Sequence, residues 1–364
     1  MGRTHKVSQL SRRKLLSAAG AGAALAAAPP RVLGQSKLRL TLSCWDYDRT
    51  RALMEGRIGV DGVDLTYLNL PVEETFFRML RNHEFDACEM SLSSYVVSLF
   101  EEPQPFIAIP VFPSRFFRHS CIFVNSNSGI RTPQDLRGKR VGTPEYQMTA
   151  AVWIRGLLSD EYNIPVASTP YFTGGEEEPG RSEKIALSLP PAIRVQPIPD
   201  TKTLSQMIAS GELDAMYTAR APSTFYDGTG KVRRLFENYG AVEREYYRKT
   251  KIFPIMHAIV IRRDLYKQYP WIAQSLHKAF VLSQREVYAN LHETAALKTM
   301  LPWVLDHVAE VDAMMGKDFW PYGFQANENT LSTFLRYSYE QGLSKRLLTP
   351  KELFAPETLE SFKI

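Results

Sequence analysis

The sequence has 364 residues, of which 44% are hydrophobic and 23% are charged, so it contains enough apolar material for one large or two medium-sized globular domains. The formal net charge is +5, but the first 34 residues hold six basic residues and no acidic one, which leaves 38 basic residues against 39 acidic ones. The resulting charge of −1 excludes the strongly basic surface typical of a nucleic-acid-binding protein.

The first 34 residues predict an export signal. Ser11-Arg12-Arg13 precede a Leu/Ala/Gly stretch of modest hydrophobicity, which is typical of the twin-arginine type of signal. We expect cleavage near Val32-Leu33-Gly34 and a periplasmic location for the rest of the chain. An uncleaved membrane anchor and a disordered tail are the alternatives. No other apolar run approaches the ~20 residues that a membrane span needs.

Three cysteines are present, Cys44, Cys88 and Cys121. An odd number without a Cys-x-x-Cys pair excludes a dense disulfide framework and a zinc-ribbon site. One bridge between Cys44 and Cys88 is open, if they lie on neighbouring strands, but the apolar surroundings favour buried free thiols.

The segments after the signal alternate between strand and helix patterns. Residues 38–48 ("LRLTLSCWDYD") alternate apolar and polar side chains and predict a strand that ends in a polar and aromatic cluster. Residues 72–82 ("VEETFFRMLRN") have acids in the first turn and apolar residues behind them, which predicts an amphipathic helix. "EFDACEMS" follows as the next strand. A strand, helix, strand series implies parallel strands with a right-handed crossover.

A similar series follows in the second region. "HSCIFVNSNSGI" predicts a strand, Thr132 caps a short helix, "KRVGTP" predicts another strand, and a long helix begins near Gln147 or Thr149. "TKTLSQMIAS" predicts a helix closed by Gly211, and "ELDAMYT" the strand after it. Between these, residues 173–184 ("TGGEEEPGRSEK") predict a solvated, mobile surface loop.

One phrase occurs twice, as "HEFDACEMS" (83–91) and "GELDAMYTA" (211–219). In both, a helix ends and a strand begins, so two similar lobes would face each other with strand ends as the walls of a cleft. We therefore predict an α/β protein with two α/β lobes and a ligand cleft between them. Residues 35–118 plus 258–364 would form lobe 1, and residues 119–257 lobe 2.

This plan, with "GIRTPQDLRGKRVG" followed by "GELDAMYTA", resembles the type II periplasmic-binding-protein fold. More narrowly, residues 44–95, 108–125 and 141–162 are similar to the 4,5-dihydroxyphthalate decarboxylase family, which shares that fold. The resemblance covers nearly everything after residue 36. It implies one of two functions, because chains of this type include solute-binding proteins as well as carboxy-lyases that give 3,4-dihydroxybenzoate.

Polar and aromatic side chains at the predicted strand and helix ends are the candidates for binding a carboxylate. A helix start offers free N–H groups to an anion, arginine is the preferred bidentate partner of a carboxylate, and Trp or Tyr can stack on a ring. Helix caps, solvated ion pairs and core aromatics are the alternatives. The candidates are Trp45, Tyr47, Ser91, Ser93, Arg115, Arg118, Tyr146, Gln147, Thr149 and Arg220.

The export signal favours the first function, an extracytoplasmic protein that binds a small, aromatic carboxylate and presents it to a membrane transporter. The alternative is 4,5-dihydroxyphthalate decarboxylase, which needs a general acid to protonate the ring, and His257 or His119 could supply it. Neither function requires a cofactor. A metal site is not expected, since the histidines are isolated from other ligands. The sequence leaves the oligomeric state open.

Overall fold

Two β-sheets organise the protein in a computed structural model, which describes residues 36–360. The predicted export signal lies outside the described residues. From edge to edge, the first sheet contains β2 (Val63–Leu68), β1 (Leu38–Ser43), β3 (Ala87–Ser91), β11 (Ile255–Arg262) and β4 (Phe106–Arg115). Strand β1 runs parallel to β2 and β3, whereas β11 runs antiparallel to its neighbours β3 and β4.

The second sheet has six strands. From edge to edge these are β10 (Val232–Arg234), β5 (Ile122–Asn125), β9 (Ala215–Tyr217), β6 (Val141–Thr143), β7 (Tyr171–Thr173) and β8 (Val195–Pro197). Strands β9, β6, β7 and β8 are mutually parallel, and β5 is antiparallel to both of its neighbours. The α/β class predicted from the sequence is therefore confirmed.

Helices connect and cover the strands. They are α1 (Asp48–Met54), α2 (Val72–Asn82), α3 (Leu92–Ser98), α4 (Thr149–Tyr162), α5 (Leu204–Ser210), α6 (Ser223–Tyr226), α7 (Tyr239–Thr250), α8 (Arg263–Gln268), α9 (Ile272–Leu291), α10 (Val304–Met315) and α11 (Glu328–Glu340). None of the helices within residues 36–360 is both long enough and apolar enough to cross a membrane.

The repeated phrase performs the same structural task in both sheets. His83 directly follows helix α2 and Gly211 directly follows α5, each in the left-handed region of φ, and strands β3 and β9 come next. The shared aspartate then fixes a neighbouring strand. Asp86 Oδ2 accepts the Thr41 N–H of β1 at 2.8 Å, and Asp214 Oδ2 accepts the Arg140 N–H just before β6 at 2.8 Å. In each sheet, the phrase therefore ends a helix and aligns a pair of parallel strands.

Helix α4 packs between the two sheets and joins their buried cores. Trp153 of α4 is fully buried and donates its indole N–H to the carbonyl of Ile255 in β11 at 2.8 Å. The three cysteines are all free and buried, so the free-thiol alternative is correct and a bridge between Cys44 and Cys88 is absent.

Candidate active site

A cavity of ≈ 310 Å³ is lined by residues from both sheets. Tyr47 follows β1, Ser91 ends β3 and His257 lies in β11 of the first sheet, whereas Thr149 begins α4 and Arg220 follows β9 of the second. Strands β1, β3 and β9 thus direct their carboxyl ends towards it, which is where open α/β sheets usually bind ligands.

The structure places seven of the candidate residues on the wall of this cavity. They come from six separate regions of the sequence, so the fold brings together residues that are far apart along the chain. These residues are Trp45, Tyr47, Ser91, Arg118, Thr149, Arg220 and His257.

Four other candidate side chains lie outside the cavity because the protein itself uses their polar groups or encloses them. Arg115 donates to the carbonyls of Phe253 and Pro321 at 3.0 and 2.8 Å, and also to Asn327. The Tyr146 hydroxyl donates to the carbonyl of Gln341, and the Gln147 amide to that of Ile185. Ser93 is fully buried, and its backbone N–H donates to Thr149 Oγ1 at 3.0 Å.

His119 also lies away from the cavity. Its ring is buried against Tyr162, Phe236 and Tyr246, with ring centroids 5.3–6.4 Å away. Burial lowers the pKa of His119 to about 4, so the ring is neutral at physiological pH. A neutral imidazole outside the cavity cannot act as the acid that the sequence analysis considered.

His257 is held in place by a buried carboxylate. Glu89 is fully buried in β3, and its Oε1 lies 2.6 Å from His257 Nδ1. Burial alone would raise the pKa of Glu89, but the charge of His257 and hydrogen bonds from the Tyr47 hydroxyl and the Trp45 N–H outweigh it and lower the pKa. An ionised Glu89 fixes the Nδ1–H of His257 and leaves Nε2 as the nitrogen available to a bound molecule.

Sequence reasoning missed Glu89, although a signal was present. Glu89 stands between apolar residues in "ACEMS", two positions before Ser91, so both side chains lie on the same face of the strand. An acid in a fully buried strand requires a partner. Its partner His257 lies 168 positions away, on the adjacent strand β11, and no local pattern could have identified it.

Arg118 is a buried cation on the wall of the cavity. It is 7% exposed, and its guanidinium contacts the sulfur of Met256 at 3.1 Å and the carbonyl of Ala219 at 3.4 Å. Within residues 36–360, no carboxylate lies within ion-pair distance of it. A buried, unpaired guanidinium is costly unless a ligand neutralises it.

Two further cations come from residues 173–184, which the sequence analysis predicted to be a solvated loop. That prediction is wrong for Arg181 and Lys184, which line the cavity and both pair with the fully buried Glu145. Lys184 is 3% exposed, and burial lowers its pKa despite the nearby carboxylate of Glu145. Glu145 attracts this segment into the interior, and the sequence spacing gave no sign of that pairing.

The first turn of α4 completes the wall. Met148, Thr149 and Ala150 line the cavity, and Met148 precedes the helix without a side-chain cap, so the first backbone N–H groups can meet an anion. Ser91 Oγ and Thr149 Oγ1 lie 2.8 Å apart and join this turn to β3. Within the described part of the chain, no group of three His, Cys, Asp or Glu residues is arranged to hold a metal ion.

Solved structures share the fold. The periplasmic sulfonate-binding protein SsuA of a sulfonate ABC transporter from Methylobacillus flagellatus KT superposes with a TM-score of 0.50 at 12% identity, covering 88% of this chain and 92% of that one. The predicted periplasmic-binding-protein type of fold is thus confirmed.

Curated relatives identify the family, although a scan against protein-family models found no match. A 4,5-dihydroxyphthalate decarboxylase from Comamonas testosteroni is 44% identical over 329 residues, which cover 90% of this chain and all of the relative. Another from Pseudomonas putida is 45% identical over 213 residues, covering 58% of this chain and 83% of the relative. The chain therefore belongs to the 4,5-dihydroxyphthalate decarboxylase family.

Proposed function

We propose that this protein decarboxylates 4,5-dihydroxyphthalate, or a closely related aromatic acid with two adjacent carboxylates, to 3,4-dihydroxybenzoate and CO2. The observation that carries the proposal is His257, held by the buried Glu89 on the wall of a cavity that also contains four cationic side chains. The relatives named as 4,5-dihydroxyphthalate decarboxylases support the same chemistry.

The substrate itself supplies the electrons for the reaction. Each carboxylate of 4,5-dihydroxyphthalate is para to a hydroxyl, which raises the electron density at the ring carbon that carries the carboxylate. His257 Nε2 protonates that carbon as a general acid. The bond to the carboxylate then breaks, CO2 leaves, and the bond electrons restore the aromatic ring. One proton is consumed in each turnover, and solvent returns it to His257.

The other side chains of the cavity have separate tasks in this mechanism. Glu89 fixes the orientation of the His257 ring through its contact with Nδ1, and the Tyr47 hydroxyl donates to Glu89 at 2.6 Å. The rings of Phe76 and His257 pack in a T-shaped arrangement, with 4.9 Å between centroids. Arg118 and Arg220 line the cavity, and in this proposal they bind the substrate carboxylates by charge-assisted hydrogen bonds.

A second candidate function is an extracytoplasmic solute-binding protein that delivers an aromatic carboxylate to a membrane transporter. The shared fold and the cation-lined cavity favour it. A binding protein, however, needs no proton donor against its ligand, whereas the Glu89–His257 pair supplies one. The decarboxylase therefore explains one more feature of the site.

We also propose that the protein works after export to the periplasm. The support is the Ser11-Arg12-Arg13 sequence and the short apolar stretch behind it. Cell fractionation with N-terminal sequencing checks this. A periplasmic chain that begins near residue 34 is expected, and a cytoplasmic chain that retains residues 1–34 would contradict it.

The experiment that tests the function uses the purified chain from about Gln35, incubated with 4,5-dihydroxyphthalate and followed by mass spectrometry. We expect 3,4-dihydroxybenzoate to form in proportion to protein, and turnover to continue in the presence of a metal chelator, because His257 supplies the proton. Unchanged substrate that nevertheless raises the melting temperature would favour the binding-protein function instead.

A further inference from the structure

Glu73 lines the cavity, and the proposed mechanism gives it no role. It belongs to the first turn of α2, whereas its two partners, Arg181 and Arg220, belong to segments connected to the second sheet. Glu73 Oε1 lies 2.9 Å from Arg220 Nη1 and 3.4 Å from Arg181 Nη1. This ion pair therefore reaches from one side of the cavity to the other.

The two arginines differ in the carboxylate partners that would remain if Glu73 were absent. Arg181 keeps Glu145, whose Oε1 lies 2.6 Å from its Nη2. For Arg220, Glu73 supplies the one carboxylate within ion-pair distance among residues 36–360. The side chains of Arg220 and Glu73 are 64% and 36% exposed, so water reaches their contact and breaking it costs little.

We propose that Glu73 is an exchangeable counter-ion, which a carboxylate of the bound ligand displaces from Arg220. Burial would raise the pKa of Glu73, but Arg181 and Arg220 lower it, so Glu73 is ionised at neutral pH and competes as a true carboxylate. Displacement frees Arg220 for one ligand carboxylate, and the unpaired Arg118 binds another. The inference deepens the proposed function and rests on its carboxylate site, because it makes the substrate class a dianion with two nearby carboxylates.

The test measures the binding of phthalate by calorimetry, because phthalate has both carboxylates and lacks the hydroxyls that turnover needs. Removing the competitor in Glu73→Gln should tighten phthalate binding by about three- to tenfold. The matched control is Glu74→Gln, which removes the same charge from the same turn of α2, but from a residue that pairs with Arg78 outside the cavity. Its affinity should stay within about twofold of the wild type.

A double-mutant comparison tests whether Arg220 is the residue for which Glu73 and phthalate compete. With Arg220→Ala in place, Glu73→Gln should leave phthalate affinity unchanged, because the competition is for Arg220. The inference is overturned if Glu73→Gln weakens or does not alter phthalate binding, or if the wild-type protein binds no phthalate. If Glu73→Gln tightens phthalate binding but 4,5-dihydroxyphthalate is never converted, the inference stands and the decarboxylase proposal alone fails.

Discussion

Replacing His257 with asparagine is expected to lower kcat for decarboxylation by about 10²- to 10⁴-fold, the usual contribution of a positioned general acid. The asparagine amide can still donate to Glu89 from near the position of Nδ1, but it has no group at the position of Nε2. Phthalate affinity should therefore change little, which separates lost chemistry from lost binding. Initial rates and calorimetry on the same preparation measure both effects.

The matched control for this variant is His119→Asn, which alters the other histidine that the sequence analysis considered. Because His119 is enclosed by aromatic rings outside the cavity, kcat per folded molecule should remain near the wild-type value. A His257→Asn protein that keeps a kcat within about threefold of the wild type would contradict the proposed role of His257.

Replacing Arg118 with methionine should weaken phthalate binding by about 10- to 100-fold, because a charge-assisted hydrogen bond contributes about 1.5–3 kcal/mol. The same change should leave the free energy of unfolding unchanged or raise it, since the buried guanidinium has no carboxylate partner in the described structure and pays a desolvation cost. Calorimetry with phthalate and urea unfolding measure the two quantities.

The opposite result would identify Arg118 as a structural residue. In that case Arg118→Met would lower the free energy of unfolding and leave phthalate affinity unchanged. Arg248→Met is the control, because Arg248 pairs with Glu245 on an exposed face of α7, and neither quantity should respond to its removal.

Local signals explain what the sequence predicted well. Helix α2 has the predicted bounds, residues 72–82, because its acids and apolar stripe follow one helical period. The repeated phrase predicted two equivalent helix-to-strand transitions, and its two aspartates each align a strand. Turn residues and periodicity are local properties, so a single sequence is sufficient to predict them.

Which side chains reach the cavity depends on contacts with residues that are distant in the sequence. Arg115 and Arg118 are three positions apart, and their sequence surroundings do not distinguish them. Carbonyls of Phe253 and Pro321 engage Arg115 and hold it outside the cavity, and Arg118 is left to line it. Lys184 likewise lies in a polar segment whose sequence is typical of a surface loop, but its side chain pairs with the buried Glu145. Tertiary contacts determine whether each of these side chains lines the cavity, and sequence spacing does not predict such contacts.

The choice of function shows a similar limit. The predicted export signal favoured a binding protein, whereas the family relationship supports the decarboxylase alternative better. An export signal concerns the location of a protein, and this fold is compatible with both binding and catalysis. The residues of the site, above all the Glu89–His257 pair, are therefore the basis on which we favour catalysis over binding alone.

The most direct measurement is the conversion of 4,5-dihydroxyphthalate in D2O, followed by NMR. Protonation of the ring carbon by His257 predicts 3,4-dihydroxybenzoate with one deuterium on the carbon next to the remaining carboxylate, together with an equal amount of CO2. Recovery of unchanged substrate, from a protein that calorimetry shows to bind it, would contradict the account and identify a binding protein.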